Sequence, residues 1–324
     1  MSIDIISKIK EAGLLGKSGS NFPVWIKWDS VKKADALKKY VIANAAEGEP
    51  EVFKDGFILN NYPKEVVLGI KAALNCIEKS SGYIYLRKDY YNKFKYTLNK
   101  LIKGADIKLF KKTGGYLSGE ETVLLNIIEG RLSEPRIKPP YPTESGLFGY
   151  PSLINNVETF YRVSKVLKGE YKDNRFYSIS GDVNNRGVFE FKTDLNISQI
   201  LKESNNFPDF DFFVQAGGGI SGEILLPSEL GRPLKGTGGI IIYNRKRTNP
   251  ASLIVKKLKF LMNENCDKCV PCREGIYRIF EMVKNNDIDK DKLNEIVFAL
   301  EETSLCGLGK CSVVSIKGFF NKLL

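Results

Sequence analysis

The 324-residue sequence contains no histidine. That absence removes the imidazole general base, the imidazole metal ligand and the Ser-His and Cys-His nucleophile pairs. Chemistry must then come from carboxylates, thiols or a bound cofactor. The chain also lacks any run of about 18 consecutive apolar residues, the length a membrane-spanning helix needs. Its start, Met1 to Lys8, has no basic region followed by an apolar stretch, so it does not read as an export signal. Cysteine is sparse before Pro250, where Cys76 stands alone and reads as buried packing. A disulfide framework is excluded by so uneven a distribution.

The hydrophobic fraction of 43% and charged fraction of 27% are those of an ordinary soluble globular chain. The length suggests about two or three domains. Lys and Arg number 49 against 38 acidic residues, for a net charge of +11. A basic balance suits nucleic acid, an anionic cofactor or an acidic protein. Many of the lysines, Lys93, Lys95, Lys100 and Lys103 among them, fall in an amphipathic stretch and read as a solvated helix face. The expectation is a cytoplasmic protein with no nucleic-acid partner and no direct membrane insertion, associated with a membrane only through partner subunits.

Along the chain, Ile5, Ile6 and Ile9 open a helical pattern, which meets the small-residue stretch Gly13 to Pro23 and then the apolar run Tyr40-Val-Ile-Ala. Helical spacing over Pro63–Cys76, a strand at Ser81–Leu86 and a helix at Tyr90–Ile102 follow, an alternation that predicts a layered α/β domain. Thr122–Ile128 and Val157–Leu167 predict further helices on either side of the Pro/Gly-rich segment Pro135–Pro151. Short β-rich runs at Phe176, Gly187 and Gly238, around a helix near Ile197–Lys202, mark a separate small domain. Beyond Pro250, four helical segments (Ile254–Met262, Ile276–Val283, Leu293–Leu300 and Val313–Phe320) predict a small bundle.

Three loops of the first region could share a site. Gly13 to Gly19 could cradle a phosphate on backbone N–H groups, although a structural turn explains such a stretch as well and that stretch contains no G-x-G-x-x-G. Asn44, Glu47 and Glu49 follow a predicted strand, at the carboxyl end where open α/β sheets bind ligands. Gly119, Glu120 and Glu121 lie just ahead of a helix, where acids are often mere dipole partners. The thiols are more specific. Cys266, Cys269 and Cys272 sit in C-x-x-C-x-x-C spacing, with Cys306 supplying a fourth from a distant loop. Three plus one is the arithmetic of an iron–sulfur cubane, with zinc as the rival. Gly307 and Gly309 would let backbone approach such a cluster, and Cys311 reads as a spare thiol.

With these residues in view, the chain resembles the NADH-binding flavoprotein subunit of respiratory complex I and of related NAD-linked hydrogenases. The stretches that carry the resemblance run in one order: Asn44-Ala-Ala-Glu-Gly-Glu-Pro, Gly119-Glu-Glu-Thr, Glu129-Gly-Arg, Pro135-Arg-Ile-Lys-Pro-Pro, Asn155-Asn-Val-Glu-Thr, Gly236-Thr-Gly-Gly and Cys266-Asp-Lys-Cys-Val-Pro-Cys-Arg-Glu-Gly. The resemblance implies an α/β FMN- and NADH-binding domain over residues 1–170, a β-grasp-like (SLBB-type) domain over 171–249 and a helical 4Fe-4S domain over 250–324. It places FMN at Gly16, Lys27, Asn44, Glu47, Gly119, Glu120, Asn155 and Asn156. NADH falls at Phe22, Glu49, Glu121, Lys138 and Tyr141, and the cluster on Cys266, Cys269, Cys272 and Cys306. The implied activity passes a hydride from NADH to FMN and then single electrons to the cluster. A small ferredoxin-like iron–sulfur protein within a larger redox complex is the implied partner.

Where the family's loop reads G-R-G-G-A-G-F-P-T-G-x-K-W, this chain carries Ser18, Asn21 and Trp25 in place of three glycines, and Ala46 replaces an acid. An indole at position 25 displaces the loop wherever backbone must approach a flavin. The alternative reading is therefore a cluster-bearing electron-transfer or assembly scaffold that has lost flavin and NADH binding.

Overall fold

The computed structural model describes residues 4–324, which form two compact units. The first comprises the residues up to Gly48 together with Phe53–Gly114 and Ser118–Phe176. The second comprises Glu49–Val52, Gly115–Leu117 and Tyr177–Leu324.

In the first unit α1 (Ile5–Glu11) starts where the Asp4 side chain accepts the Ile6 N–H at 3.3 Å. The small-residue loop leads to α2 (Val24–Lys33), and β1 (Lys39–Ala45) follows, buried along nearly its whole length. Next come α3 (Lys54–Asn61), α4 (Pro63–Cys76), β2 (Ser80–Leu86), α5 (Lys88–Ile102), β3 (Ile107–Lys111), α6 (Glu121–Ile128), β4 (Ser152–Asn156) and α7 (Val157–Lys168). Pro63 opens α4, where its missing N–H costs nothing. The four strands pair in parallel in the order β3-β2-β1-β4. Strands buried on both faces carry continuous apolar runs, which is why Tyr40-Val-Ile-Ala is legible as a strand. β4, Ser-Leu-Ile-Asn-Asn, is not legible that way.

The second unit holds a five-stranded sheet of β5 (Asn174–Gly181), β6 (Gly187–Lys192), β7 (Phe212–Ala216), β8 (Glu223–Leu225) and β9 (Gly239–Asn244), in the order β6-β5-β9-β7-β8. β5 and β9 run parallel, whereas β7 is antiparallel to both of its neighbours. The single helix α8 (Ile197–Glu203), closed by an Asn196–Gln199 capping box, seats Ile197, Ile200 and Leu201 on Tyr177, Val214, Ile240 and Ile242. Four helices complete the unit: α9 (Pro250–Glu264), α10 (Ile276–Lys284), α11 (Lys290–Thr303) and α12 (Gly307–Lys322). Among the described residues no helix is long and apolar enough to cross a membrane.

Candidate functional site

In the first unit's sheet the chain winds from β1 through β2 to β3 on one side, then returns to place β4 on the other. The strand order reverses between β1 and β4, and ligands of open α/β sheets bind at such a reversal, outside the carboxyl ends of the strands. The register there sets Ala43 beside Asn155 and Asn44 beside Asn156. A cleft of about 600 Å³ opens at this point, lined by Asn44, Asn155 and Asn156 together with Phe22, Lys27, Gly119, Glu120, Glu121 and Tyr141. That volume is in the range of cofactor pockets.

The asparagines build the floor. Asn44 donates to the Gly119 carbonyl at 2.9 Å and accepts the Ala46 N–H at 3.0 Å, pinning the Gly119 turn to β1. Asn155 accepts the Nε1–H of the buried Trp28 at 3.0 Å and so fixes α2. Asn156 caps α7 through the Glu158 N–H and donates to Asp55 Oδ2 at 2.7 Å. Above the floor stand four charges. Glu121 receives Lys27 at 3.1 Å and Lys138 at 2.8 Å, and Lys138 also reaches Glu120 at 3.0 Å. Burial pushes the Glu121 carboxyl up, but the two ammonium groups outweigh it and hold it below the ordinary carboxylate value. The other Glu120 oxygen accepts the Thr122 and Val123 N–H groups as the cap of α6.

Trp25 does not obstruct this space. Its ring lies under the Lys10 ammonium at 4.7 Å and takes no part in lining the cleft. Asn21 takes a left-handed backbone, φ 51°, the conformation for which asparagine is the usual substitute for glycine. Ser18 lines the cleft. Gly16 lies at the loop's base, its N–H donating to the Phe22 carbonyl at 2.9 Å.

Beneath the floor is a buried polar network. Lys54 pairs with Asp55 at 2.7 Å and with Glu158 at 3.2 Å, all with side chains at most 3% exposed. Glu47 lies outside the cleft lining: it accepts the Asp55 N–H at 3.0 Å and the Tyr90 hydroxyl. Its carboxyl is pushed up to about 7, first by burial and then by the Asp55 carboxylate, with Lys54 opposing. The folded state thus holds this proton more tightly than the unfolded chain does. Stability should therefore fall as pH rises from the ordinary value of 4.5 towards 7 and level off beyond it. Urea unfolding across that window should show the decline, and Glu47→Gln should flatten it; an unchanged slope in the variant would assign the proton to another group.

In the second unit the cysteines converge. Cys272 lies in a π turn, Pro271–Gly275, that runs into α10, and such turns are frequent at functional sites. Cys306 is the N-cap of α12, where the helix dipole favours a thiolate. At Gly309 a side chain would strike Ser304, and its Cβ would stand 3.6 Å from Cys272 Cβ. Glycine at 309 is what lets the first turn of α12 pack against Ser304, beside Cys272. The Cys272 thiol is pushed well up by burial and then by the neighbouring sulfurs of Cys269, Cys306 and Cys266, which places the four near one another. Among the described residues no three His, Cys, Asp or Glu side chains gather tightly enough for a single metal ion. Cys311 is exposed. Glu49 also belongs to this unit, held by the Tyr116 and Ser221 hydroxyls at 2.8 and 2.6 Å and by the Ile220 N–H at 2.8 Å.

The F-type polypeptide of NADH-quinone oxidoreductase from Buchnera aphidicola is 32% identical over 335 residues, covering 90% of this chain and 75% of its own. The chain belongs to that oxidoreductase family. A model for the Nuo51 FMN-binding domain matches residues 9–165, and one for the NADH-ubiquinone oxidoreductase-F iron-sulfur binding region matches residues 253–323. The second match sets iron–sulfur above zinc for the cysteines. The alpha polypeptide of the NAD-reducing hydrogenase HoxS from Cupriavidus necator is 30% identical across 95% of this chain and 57% of its own. An NAD+-reducing [NiFe]-hydrogenase structure in the H2-reduced state superposes with a TM-score of 0.91 at 25% identity over 98% of this chain. The present chain spans about 61% of that hydrogenase chain.

Sequence reasoning missed Ile26, Pro142, Thr143, Ser152 and Ile154, which also line the cleft, as does Ser30, which stands where the family carries an aromatic. Ile26 was findable: it lies one helical turn from Ser30 on α2, beside Lys27. The remaining four come from irregular chain or from β4, where spacing gives no such signal.

Proposed function

We propose that this chain is the NADH-oxidising component of a larger redox complex, working in the cytoplasm beside an iron–sulfur partner such as a small ferredoxin-like protein. The observation that carries the reading is the cleft at the β1/β4 reversal, where two ammonium groups and an apolar wall meet. Bound there, FMN would take a hydride from NADH and release electrons singly, and a 4Fe-4S cluster on Cys266, Cys269, Cys272 and Cys306 would carry them onward. Everything else is done by the chain's own residues. Lys27 and Lys138 supply cations for phosphate oxygens, and Glu121 holds both in place with ligand bound as without it. Phe22, Ile26, Tyr141 and Ile154 present apolar surface to a flat ring and exclude water. Asn44, Gly119, Asn155 and Asn156 fix the floor, with Glu120 fixing α6. Hydride transfer needs alignment and no protein acid or base, in keeping with a chain without histidine.

Among the residues expected at FMN or NADH, we assign Gly16 and Glu47 to supporting the cleft and Glu49 to the second unit's own hydrogen bonding. The layout proposed is an FMN/NADH domain at 1–170, a β-grasp-like domain at 171–249 and a cluster domain at 250–324. The scaffold alternative loses its motive, since Trp25 turns to Lys10 and Asn21 keeps the glycine-like backbone.

An anaerobic absorbance spectrum taken before and after NADH tests the reading. Flavin bands that bleach on addition are the expected result; iron–sulfur absorption without flavin, even after FMN reconstitution, would restore the scaffold. In the same assay Glu121→Gln should raise the KM for NADH about tenfold through loss of charge-assisted pairing. The cluster absorption should be untouched, and an unaltered KM would remove Glu121 from the NADH site.

A further inference from the structure

The segment Pro135–Pro151 has almost no regular structure, yet Tyr141, Pro142 and Thr143 form a wall of the cleft and Lys138 pairs with the lining carboxylates Glu120 and Glu121. A wall without helix or strand hydrogen bonds must be held in place by side chains. Arg136, half-buried, does this from the base of the segment. Its backbone N–H donates to Thr122 Oγ1 at 3.0 Å, which ties the start of the segment to the first turn of α6, next to Glu121. Its Nε donates to Asn126 Oδ1 at 2.8 Å, and its Nη1 donates to the Gly146 carbonyl at 2.8 Å. Its Nη2 stands 2.8 Å from Glu129 Oε1, a carboxylate only 3% exposed that also accepts the Phe148 N–H at 2.6 Å.

One guanidinium therefore joins both ends of the loop 136–146 to α6. The far end has little freedom of its own, since a side chain at Gly146 would collide with Ser152 Oγ and the Pro142 carbonyl. Lys138 is two residues from the fixed point, within reach of Glu120 and Glu121 for that reason. A planar fork that donates to two separate acceptors while setting its third nitrogen beside a carboxylate is something lysine cannot reproduce.

We propose that Arg136 is a positioning residue for dinucleotide binding: it closes the base of loop 136–146 so that Lys138 and Tyr141 face the cleft at fixed positions. This rests on the reading of the cleft as the FMN and NADH site. NAD+ is the probe, titrated calorimetrically into the FMN-loaded protein, where it binds without turnover. In Arg136→Lys and Arg136→Met, NAD+ affinity should fall about tenfold or more. The KM for NADH should rise in parallel, with kcat within about twofold of wild type and with FMN content and cluster absorbance unchanged. A merely structural role would lower melting temperature without this split between KM and kcat. Wild-type NAD+ affinity in folded Arg136→Lys would overturn the proposal while leaving the cleft's function standing, whereas a wild-type chain that binds neither FMN nor NAD+ would overturn both. Should neither variant fold, hydrogen exchange in the wild type decides: NAD+ should slow the amides of 137–145, and equal exchange with and without it would overturn the proposal.

Discussion

Replacing Cys272 with serine should strip the iron from the protein, leaving below about a tenth of the wild-type content and no broad visible absorption, because metal binding of this kind requires each thiolate ligand. Cys272 is buried where the π turn enters α10, and the first turn of α12 packs beside it at Gly309. Cys311 is exposed and stands more than one turn further along α12 than Cys306, and it is not counted among the ligands. Cys311→Ser should accordingly keep full iron and full absorption. The two variants side by side separate ligand from bystander. Iron retained in Cys272→Ser, or lost in Cys311→Ser, would require a different ligand set.

The second large effect concerns the first unit. Lys54→Met should destabilise it by about 3–5 kcal/mol, the usual cost of leaving buried charge unpaired. Lys54 is the shared cation of Asp55 and Glu158, each within 3.2 Å and inaccessible to solvent. Burial alone would lower the Lys54 pKa, but Asp55, Glu158 and Glu47 together raise it, so the ammonium is charged at every pH of interest. Its removal takes from Asp55 and Glu158 the cation they share, leaving Asp55 the Asn156 amide at 2.7 Å and Glu158 the Arg162 guanidinium at 3.7 Å. Asn156 would also lose the Lys54 contact at 3.3 Å, and with it part of the cleft floor. Urea unfolding of wild type and variant measures the difference, with FMN retention as a second readout. A loss under about 1 kcal/mol would mean that the network relaxes or takes up water on losing its centre.

Much of this architecture is legible in the sequence, and the parts that are not have physical causes. The helices of the second unit announce themselves by apolar spacing, and α9 to α12 lie where Ile254, Ile276, Leu293 and Val313 begin their patterns. β1 and β2 are legible as buried runs. β4 is the instructive failure. Ser-Leu-Ile-Asn-Asn has poor strand propensity because its last two residues serve the cleft instead of the sheet. α3 is hidden similarly, since Lys54 and Asp55 read as surface charge but face inward into the network. Of the candidate site, Asn44 and Glu121 stood out by residue type and Lys138 and Asn155 only through the family resemblance, while the connections among them were not legible. That Trp25 would stack beneath Lys10, or that Arg136 would hold the wall, depends on distances no spacing rule carries.

The pairing of Lys27 and Lys138 with Glu120 and Glu121 has one more consequence. Although the whole chain carries +11, the four charges gathered at the mouth of the cleft cancel. A dinucleotide arriving there meets cations already paired and gains no net Coulombic attraction from the site itself. Local steering of the anion is therefore weak, and ionic strength acts on encounter mainly through the chain's more distant lysines, over a Debye length of about 8 Å at physiological salt.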